Sequence, residues 1–281
     1  MIPAEFDYVV PDSLDEAIAA LRDGGEDAKL LAGGHSLVPL MKLRLAAPTL
    51  LVDLRNVPGL RGVERQNGHW RIGAMTPHAE LQDRHDDLGL TAHAAKGIAD
   101  QQVRNRGTIG GSLAHGDSAS DLPTVLVTLE GAVTAMGPDG AREIAGTDLF
   151  LDYLTTALDP LEVITEVRLP ALEGYGHGYE KFTRRAEDWA MVGVAVVVLK
   201  NEDGTCADVR VGLTNMGSTP LRATEVENAL RGQPLDEASI VAAAAHADAG
   251  TNPPADRNAS QDYKRHLARV LTARALRTAA G

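Results

Sequence analysis

Cysteine is almost absent from this chain of 281 residues, since Cys206 is its single representative. One cysteine excludes a disulfide framework, and it also excludes a self-contained iron–sulfur cluster, which needs about four thiolates. No apolar run approaches the roughly 18 residues of a membrane span. The first residues lack the basic and apolar regions of a secretory signal. We therefore expect a cytoplasmic protein without a transmembrane segment.

Basic residues are also in short supply, with 27 Lys and Arg against 39 Asp and Glu and a net charge of −12. Binding to a nucleic-acid backbone needs a basic face, so this balance argues against a nucleic-acid partner. The length predicts about two domains, each with enough chain to bury a core. The pattern as a whole is typical of a mixed α/β protein.

The apolar pattern predicts a β–turn–α–β unit near the start. Ser13 and Glu16 have the spacing of a capping box before a helix that Gly24 and Gly25 end. The elements expected in this unit are a strand over 5–9, a helix from 14, strands over 29–31 and 49–54, and a short helix over 37–45. A second block follows. It is expected to contain a helix starting at Thr76-Pro77 with proline at N1, helices over about 87–102 and 122–129, and strands over 132–136 and 161–169.

The last third of the chain has a different character. Pro170 and the glycines at 174, 176 and 178 predict a domain boundary. The elements expected beyond it are three neighbouring strands over 178–183, 191–199 and 207–215, a hairpin turn over 201–204, and helices near 222–230, 236–249 and 261–279. This pattern predicts a smaller α+β domain.

Two glycine-rich turns are the most informative local features, over 30–36 and 107–112. Paired glycines let main-chain amides approach an anion without a Cβ in the way. Two such turns in one domain suggest a ligand with more than one phosphate, held from both sides, and the first turn lies at a predicted helix N-terminus. The spacing matches neither the Rossmann fingerprint nor a P-loop. For the first segment alone, a plain tight turn between strand and helix is an equally good interpretation.

Several other residues have two interpretations each. Asp121 fits a helix N-cap slightly better than an acceptor for ribose or adenine. Arg104 and Arg106 fit solvated charges or a subunit interface. His35 taken singly fits a packed loop histidine, and Cys206 fits a structural role.

The two glycine motifs together resemble a known family. Ala32-Gly33-Gly34-His35-Ser36-Leu37 with Pro39-Leu40-Met41-Lys42, followed by Thr108-Ile109-Gly110-Gly111-Ser112, is similar to the FAD-binding medium subunits of the molybdenum hydroxylases. Among these, the medium chains of aerobic carbon monoxide dehydrogenase are the most similar. The resemblance extends over essentially the whole chain and includes Glu180-Lys181-Phe182-Thr183-Arg184-Arg185 and Asp188-Trp189-Ala190.

The resemblance implies an FAD-binding domain of the vanillyl-alcohol-oxidase type over 1–173, with two α/β subdomains over about 1–55 and 56–173. A smaller α+β domain over 174–281, with a three-stranded antiparallel sheet and helices, follows. The residues that it implies on the two sides of the FAD pyrophosphate are Ala32, Gly33, Gly34, His35, Ser36 and Leu37, and Thr108, Ile109, Gly110, Gly111 and Ser112.

The same resemblance implies contacts with the rest of the cofactor. It places Asp121 at the adenosine part, the backbone of Val163 and Ile164 near the flavin, and Lys181 and Trp189 close to the isoalloxazine ring. Ser112 stands where many relatives carry Asn, and Trp189 where many carry Tyr. A hydrophobic plug is an alternative role for Trp189.

The implied function is that of the FAD-carrying electron-transfer subunit of a larger oxidoreductase. A large subunit would hold the molybdenum cofactor and a small one the [2Fe–2S] clusters, in a dimer of heterotrimers. Electrons would leave FAD for an external acceptor such as quinone, in carbon monoxide oxidation. The chain itself would supply no catalytic residue and no metal ligand, and the complex could associate peripherally with the inner face of the membrane.

Three alternatives stay open at this point. The first is a molybdenum hydroxylase for an N-heterocycle or an aldehyde. The second is a stand-alone FAD oxidoreductase with its own substrate. The third is a non-enzymatic module that binds a nucleotide other than FAD.

Overall fold

The chain begins with a small parallel sheet between helices, in a computed structural model that describes residues 2–281. The strands are β1 (Asp7–Val9), β2 (Ala28–Leu31) and β3 (Leu50–Asp53), in the spatial order β1, β3, β2. The helices are α1 (Leu14–Gly24) and α2 (Leu37–Lys42), and a 3₁₀ turn spans Leu54–Asn56. Ser13 Oγ accepts a hydrogen bond from the Glu16 amide at 3.2 Å, so the predicted cap of α1 is confirmed. The predicted β–turn–α–β unit is also confirmed.

A five-stranded antiparallel sheet and short helices form the next block. Its strands and those of a small two-stranded sheet are β4 (Val63–Gln66), β5 (His69–Gly73), β6 (Ala132–Gly137), β7 (Gly140–Ala145), β8 (Phe150–Asp152), β9 (Thr155–Thr156) and β10 (Val163–Pro170). The large sheet has the order β4, β5, β10, β6, β7, and β8 pairs with β9. The helices are α3 (His78–Gln82), α4 (His85–Leu88), α5 (Leu90–Lys96), α6 (Gln101–Arg104), α7 (Ile109–His115), α8 (Asp121–Thr128) and α9 (Gly146–Leu149).

Two expectations about the helices of this block are wrong. The helix expected over 87–102 is divided among α4, α5 and α6, because Gly89 and Ala99 have positive φ values of 46° and 42°. A positive φ cannot be part of a right-handed helix. Pro77 is the N-cap of α3 and has an extended backbone, so it precedes the helix and is not its first residue.

The C-terminal sheet is antiparallel and keeps the order of the chain. Its strands are β11 (Tyr175–Phe182), β12 (Val192–Lys200), β13 (Cys206–Thr214) and β14 (Leu221–Arg222), and the helices α10 (Thr224–Leu230), α11 (Glu237–Ala244) and α12 (Gln261–Ala280) follow. The expected three strands are present, and β14 adds a short fourth.

Two of the three glycines that predict the domain boundary have a packing role. Gly176 and Gly178 lie inside β11, where a Cβ would collide with the carbonyl oxygens of Ala279 and Ala275 in α12. The division of the chain between 173 and 174, and of its first part near 55, stays a prediction.

Strand β12 is buried on both faces and joins the two parts of the molecule. Val194, Val196 and Val198 belong to a core shared with the C-terminal helices. Ala195 and Val197 point to the opposite face and share a core with α5 and α8. Burial on both sides explains why the sequence here is a continuous apolar run. Within residues 2–281, no helix has both the length and the apolar character needed to cross a bilayer.

Candidate functional site

A cleft of about 580 Å³ opens where the parallel sheet, the helical block and the C-terminal sheet meet. This volume lies within the range of small-molecule and cofactor sites. All but one of the residues predicted to bind the cofactor line it: Ala32, Gly33, Gly34, His35, Ser36, Leu37, Thr108, Gly110, Gly111, Ser112, Asp121, Ile164, Lys181 and Trp189. The fold therefore brings together residues from distant parts of the sequence.

The first glycine turn offers hydrogen-bond donors that the protein does not use. The carbonyls of Gly34 and Ser36 accept from the amides of Val38 and Leu40, at 2.9 and 3.3 Å, as α2 begins. In contrast, the amides of residues 33–36 donate to no acceptor within residues 2–281. The Ser36 hydroxyl makes no capping bond either. A ligand in the cleft can therefore use these amides and this hydroxyl.

The second glycine turn is different. The amides of Ile109 and Gly110 donate to the carbonyls of Thr76 and Ala74, at 3.1 and 2.8 Å. The next two amides donate to Thr108, one to its hydroxyl at 3.2 Å and one to its carbonyl at 3.0 Å. The expectation that both turns present free amides therefore holds for the first and is wrong for these four amides of the second.

The two turns nevertheless touch each other. A Cβ on Gly33 would collide with the Arg106 carbonyl oxygen and would lie 2.8 Å from Gly107 Cα. A Cβ on Gly111 would lie 3.5 Å from the Cβ of Ala32. Only glycine permits such a close approach of two backbones. The arrangement places both turns on one ligand site, as a diphosphate held from two sides requires.

Ile109 is the one predicted residue that does not line the cleft. Its side chain is 2% exposed and belongs to the apolar core under the second turn. Its amide is also engaged, as described above. Ile109 therefore packs under the turn, and its contact with the cofactor stays a prediction.

Asp121 is not the N-cap of α8, because Ser120 occupies that position. The Asp121 carboxylate is buried and bonded on both oxygens. Oδ1 accepts from the Tyr179 hydroxyl, and Oδ2 lies 2.9 Å from Lys181 Nζ. Burial, and then the charge of Asp121, raise the pKa of Tyr179 well above its usual value, so this phenol stays protonated and donates. The interpretation of Asp121 as a plain N-cap is wrong.

Trp189 lies at the edge of the cleft in the loop between β11 and β12. The residue is 53% exposed, which argues against a buried plug within this chain. Asn215 holds the C-terminal end of this loop, because its side-chain amide donates to the carbonyls of Ala190 and Met191 at 2.8 and 3.2 Å. Ile164 is buried and lies at a bulge in β10.

His78 is one of the polar wall residues that sequence reasoning missed. Burial, followed by the charges of His35 and Arg104, lowers its pKa from 6.5 to about 4. The pKa of His35 is also lowered, chiefly by its partial burial and then by Arg106. The only signal in the sequence was the position of His78 directly after the Thr76-Pro77 helix start. Apolar wall residues without a motif were missed as well: Met75, Ile98, Val103, Leu158 and Pro160.

The chemistry of the cleft fits a dinucleotide. Unpaired amides and a hydroxyl are donors for phosphate oxygens, glycines keep the backbone accessible, and apolar residues can cover rings. This combination is typical of a nucleotide-binding protein.

Comparison with known proteins identifies the family. Residues 4–172 match the family described as the FAD binding domain in molybdopterin dehydrogenase, and residues 177–279 match the CO dehydrogenase flavoprotein C-terminal domain. The chain belongs to this family of FAD-binding flavoprotein subunits of molybdopterin dehydrogenases.

The individual relatives are subunits of enzymes that are named for different substrates. The chain is 43% identical to the carbon monoxide dehydrogenase medium chain of Hydrogenophaga pseudoflava, covering 99% of this chain and 98% of the relative. It is 41% identical to the 6-hydroxypseudooxynicotine dehydrogenase complex subunit alpha of Paenarthrobacter nicotinovorans, covering 98% and 95%. The solved carbon monoxide dehydrogenase from Hydrogenophaga pseudoflava that lacks the Mo-pyranopterin moiety superimposes with a TM-score of 0.95 at 44% identity, covering 99% and 98%.

Proposed function

We propose that this chain is the electron-transfer subunit of a molybdenum-containing hydroxylase that oxidises carbon monoxide. It would receive electrons from the [2Fe–2S] clusters of a small subunit and pass them from FAD to an external acceptor such as quinone. The molybdenum cofactor would be held by a large subunit, in a dimer of heterotrimers located in the cytoplasm or at the inner face of the membrane. The observation that carries the proposal is the set of unpaired amides at residues 33–36, which lie beside a second glycine turn in the lining of one cleft.

Each part of the cleft has a separate task in this proposal. Bound FAD supplies two-electron redox chemistry, and it can accept its two electrons one at a time. The first turn would bind the diphosphate through its amides and the Ser36 hydroxyl, and the second turn would close the opposite side. The Lys181 ammonium, held by Asp121, would set the electrostatic potential near the bound ligand. Trp189 would cover the exposed edge and limit access of water.

The experiment compares the chain alone with the complete complex. The full-length chain is purified, and the small molecule released on denaturation is identified by mass spectrometry. We expect FAD, no carbon-monoxide-dependent dye reduction by the chain alone, and such activity once the large and small subunits are co-expressed. Release of a different nucleotide would contradict the cofactor, and robust activity of the lone chain would contradict the division of labour.

A second candidate substrate class is an N-heterocycle, because a relative at 41% identity is named for 6-hydroxypseudooxynicotine. The two candidates share the cleft and the cofactor, so the difference must lie in the large subunit. Offering carbon monoxide and a panel of pyridine derivatives to the same complex separates them. Reduction of the dye only with a pyridine derivative would replace carbon monoxide as the substrate.

A further inference from the structure

His78 is a buried imidazole in the cleft wall to which no role has been given so far. It is 5% exposed, and it lines the cleft. Its Nδ1 atom is buried and has no hydrogen-bond partner within residues 2–281. Buried polar atoms are nearly always paired, so an unpaired Nδ1 is unusual, and it indicates which nitrogen of the ring carries the proton.

The other nitrogen of the ring, Nε2, lies beside the second glycine turn. A Cβ on Gly107 would lie 2.7 Å from His78 Cδ2 and 2.9 Å from Nε2. The His78 amide donates to the Gly107 carbonyl at 2.9 Å, which fixes the start of α3 against the second turn. Gly107 in turn packs against Gly33 of the first turn. The Nε2 edge of the ring therefore lies where the two turns meet.

The protonation state of the ring can be inferred from its surroundings. Because burial lowers the pKa of His78 to about 4, the ring is neutral at pH 7 and carries one N–H. A buried N–H without an acceptor is rarer than a buried acceptor without a donor. The proton therefore belongs on Nε2, with the unpaired Nδ1 as the bare acceptor. The ring then presents a neutral donor at the junction of the turns.

We propose that His78 binds the diphosphate of FAD, donating the N–H of Nε2 to a phosphate oxygen. This inference rests on the proposed function and deepens it, because it adds a side-chain donor on the side where the amides of the second turn are already engaged. A neutral donor suits this place, since a buried cation would have to be stripped of its hydration before the ligand arrives.

Two variants test the donor separately from the packing. His78→Gln keeps an N–H donor near the position of Nε2, whereas His78→Met has a similar size and no donor. The flavin-free full-length chain is titrated with FAD, with ADP, which keeps the diphosphate, and with riboflavin, which lacks it. We expect His78→Met to bind FAD and ADP about tenfold more weakly, a change of about 1.4 kcal/mol. Riboflavin binding should not change, and His78→Gln should stay within about threefold of the unmodified chain.

The possible outcomes are distinct. Unchanged FAD binding by His78→Met would overturn the inference, and so would an equal loss of riboflavin affinity. Equal losses in both variants, together with lower melting temperatures of the flavin-free forms, would show that His78 only supports the fold. If the unmodified chain bound neither FAD nor ADP, the proposed function itself would fail and this inference with it. If the unmodified chain and the His78→Met variant bound FAD and ADP equally well, only the role of His78 would be refuted and the proposed function would stand.

Discussion

The ammonium of Lys181 lies 2.9 Å from the Oδ2 atom of Asp121, and the two side chains are only 10% and 5% exposed. The pair connects β11 of the C-terminal sheet with the first turn of α8. The other carboxylate oxygen is occupied by Tyr179. A buried charge without its partner is strongly unfavourable. The stability of the cleft wall therefore depends on this contact between α8 and the C-terminal sheet.

Asp121→Asn is therefore expected to lower the free energy of unfolding by about 3–5 kcal/mol, because it leaves the Lys181 ammonium buried and unpaired. Urea denaturation of the flavin-free chain measures the change. The double variant with Lys181→Met removes both charges, and its loss should be clearly smaller than the sum of the two single losses.

An exposed ion pair provides the matched control. Arg277 and Glu237 also form a salt bridge, but their side chains are 43% and 65% exposed. Glu237→Gln should leave the free energy of unfolding nearly unchanged, because the attraction between two exposed charges is weakened by water. If Asp121→Asn had an equally small effect, the buried pair would not couple the two parts of the chain.

Acid should destabilise the flavin-free chain through His78. Its pKa is about 4 in the folded chain and near 6.5 when unfolded. Between these values the unfolded chain takes up a proton that the folded chain excludes. The stabilising contribution is complete above pH 6.5 and is lost as the pH falls towards 4, by about 3 kcal/mol in total. His35, His93, His115 and His177 have pKa values shifted in the same direction.

The measurement compares unfolding free energies of the unmodified chain and His78→Gln from about pH 7.5 to about pH 4.5. The substitution removes one titrating group, so the stability of the variant should fall less steeply over this interval. Parallel curves would mean that His78 is protonated equally well in both states, and the low pKa would be refuted.

The fold could be predicted where burial leaves a periodic pattern in the sequence. The first parallel unit and β12 have such patterns, and both were placed within a few residues. The hairpin of β4 and β5 and the strand β7 were missed, because β4 and β7 are mostly exposed and polar. These two strands are defined by backbone hydrogen bonds to their neighbours. Their sequences therefore contain no alternation of apolar and polar residues from which a strand could be predicted.

The site could be predicted only in part for a related reason. Glycine turns are local, so their residues were found. Whether an amide is free depends on distant carbonyls, and those of Ala74 and Thr76 engage the second turn. The burial of His78 is likewise a consequence of packing against Gly107, which no spacing of residues indicates. The resemblance to a family supplied Lys181 and Trp189, which are remote in sequence from both turns.

Gly33→Ala is expected to separate the two glycine turns and reduce FAD occupancy several-fold. The added Cβ would point at the Arg106 carbonyl, which cannot move without shifting the second turn. The effect arises within the protein, since this Cβ does not point into the cleft. The flavin-to-protein absorbance ratio after purification measures the occupancy.

Gly97→Ala is the control for that substitution. Gly97 has a φ of −82°, which alanine adopts freely, and a Cβ there would lie 3.4 Å from the nearest atom, the Ala94 carbonyl oxygen. FAD occupancy of this variant should equal that of the unmodified chain. Full occupancy in Gly33→Ala as well would argue against a site formed by contact of the two turns.

Asn215 should control the order of the loop that carries Trp189. It is a buried residue with a φ of 60°, and its side-chain amide donates to the Ala190 and Met191 carbonyls. Asn215→Gly keeps the backbone relaxed but removes both bonds, so we expect a loss of about 1–3 kcal/mol. Asn215→Ala should lose about 1 kcal/mol more, because alanine is strained at a positive φ.

Trp189 itself reports on this loop, because the chain has only one other tryptophan, Trp70. In a Trp70→Phe background, the fluorescence anisotropy of Trp189 should fall in both Asn215 variants, since the loop gains freedom once its two carbonyls are released. Trp70→Phe alone sets the reference value. Suppose that the free energy of unfolding fell while the anisotropy stayed at that reference value. Asn215 would then stabilise only the end of β13, and the order of Trp189 would not depend on it.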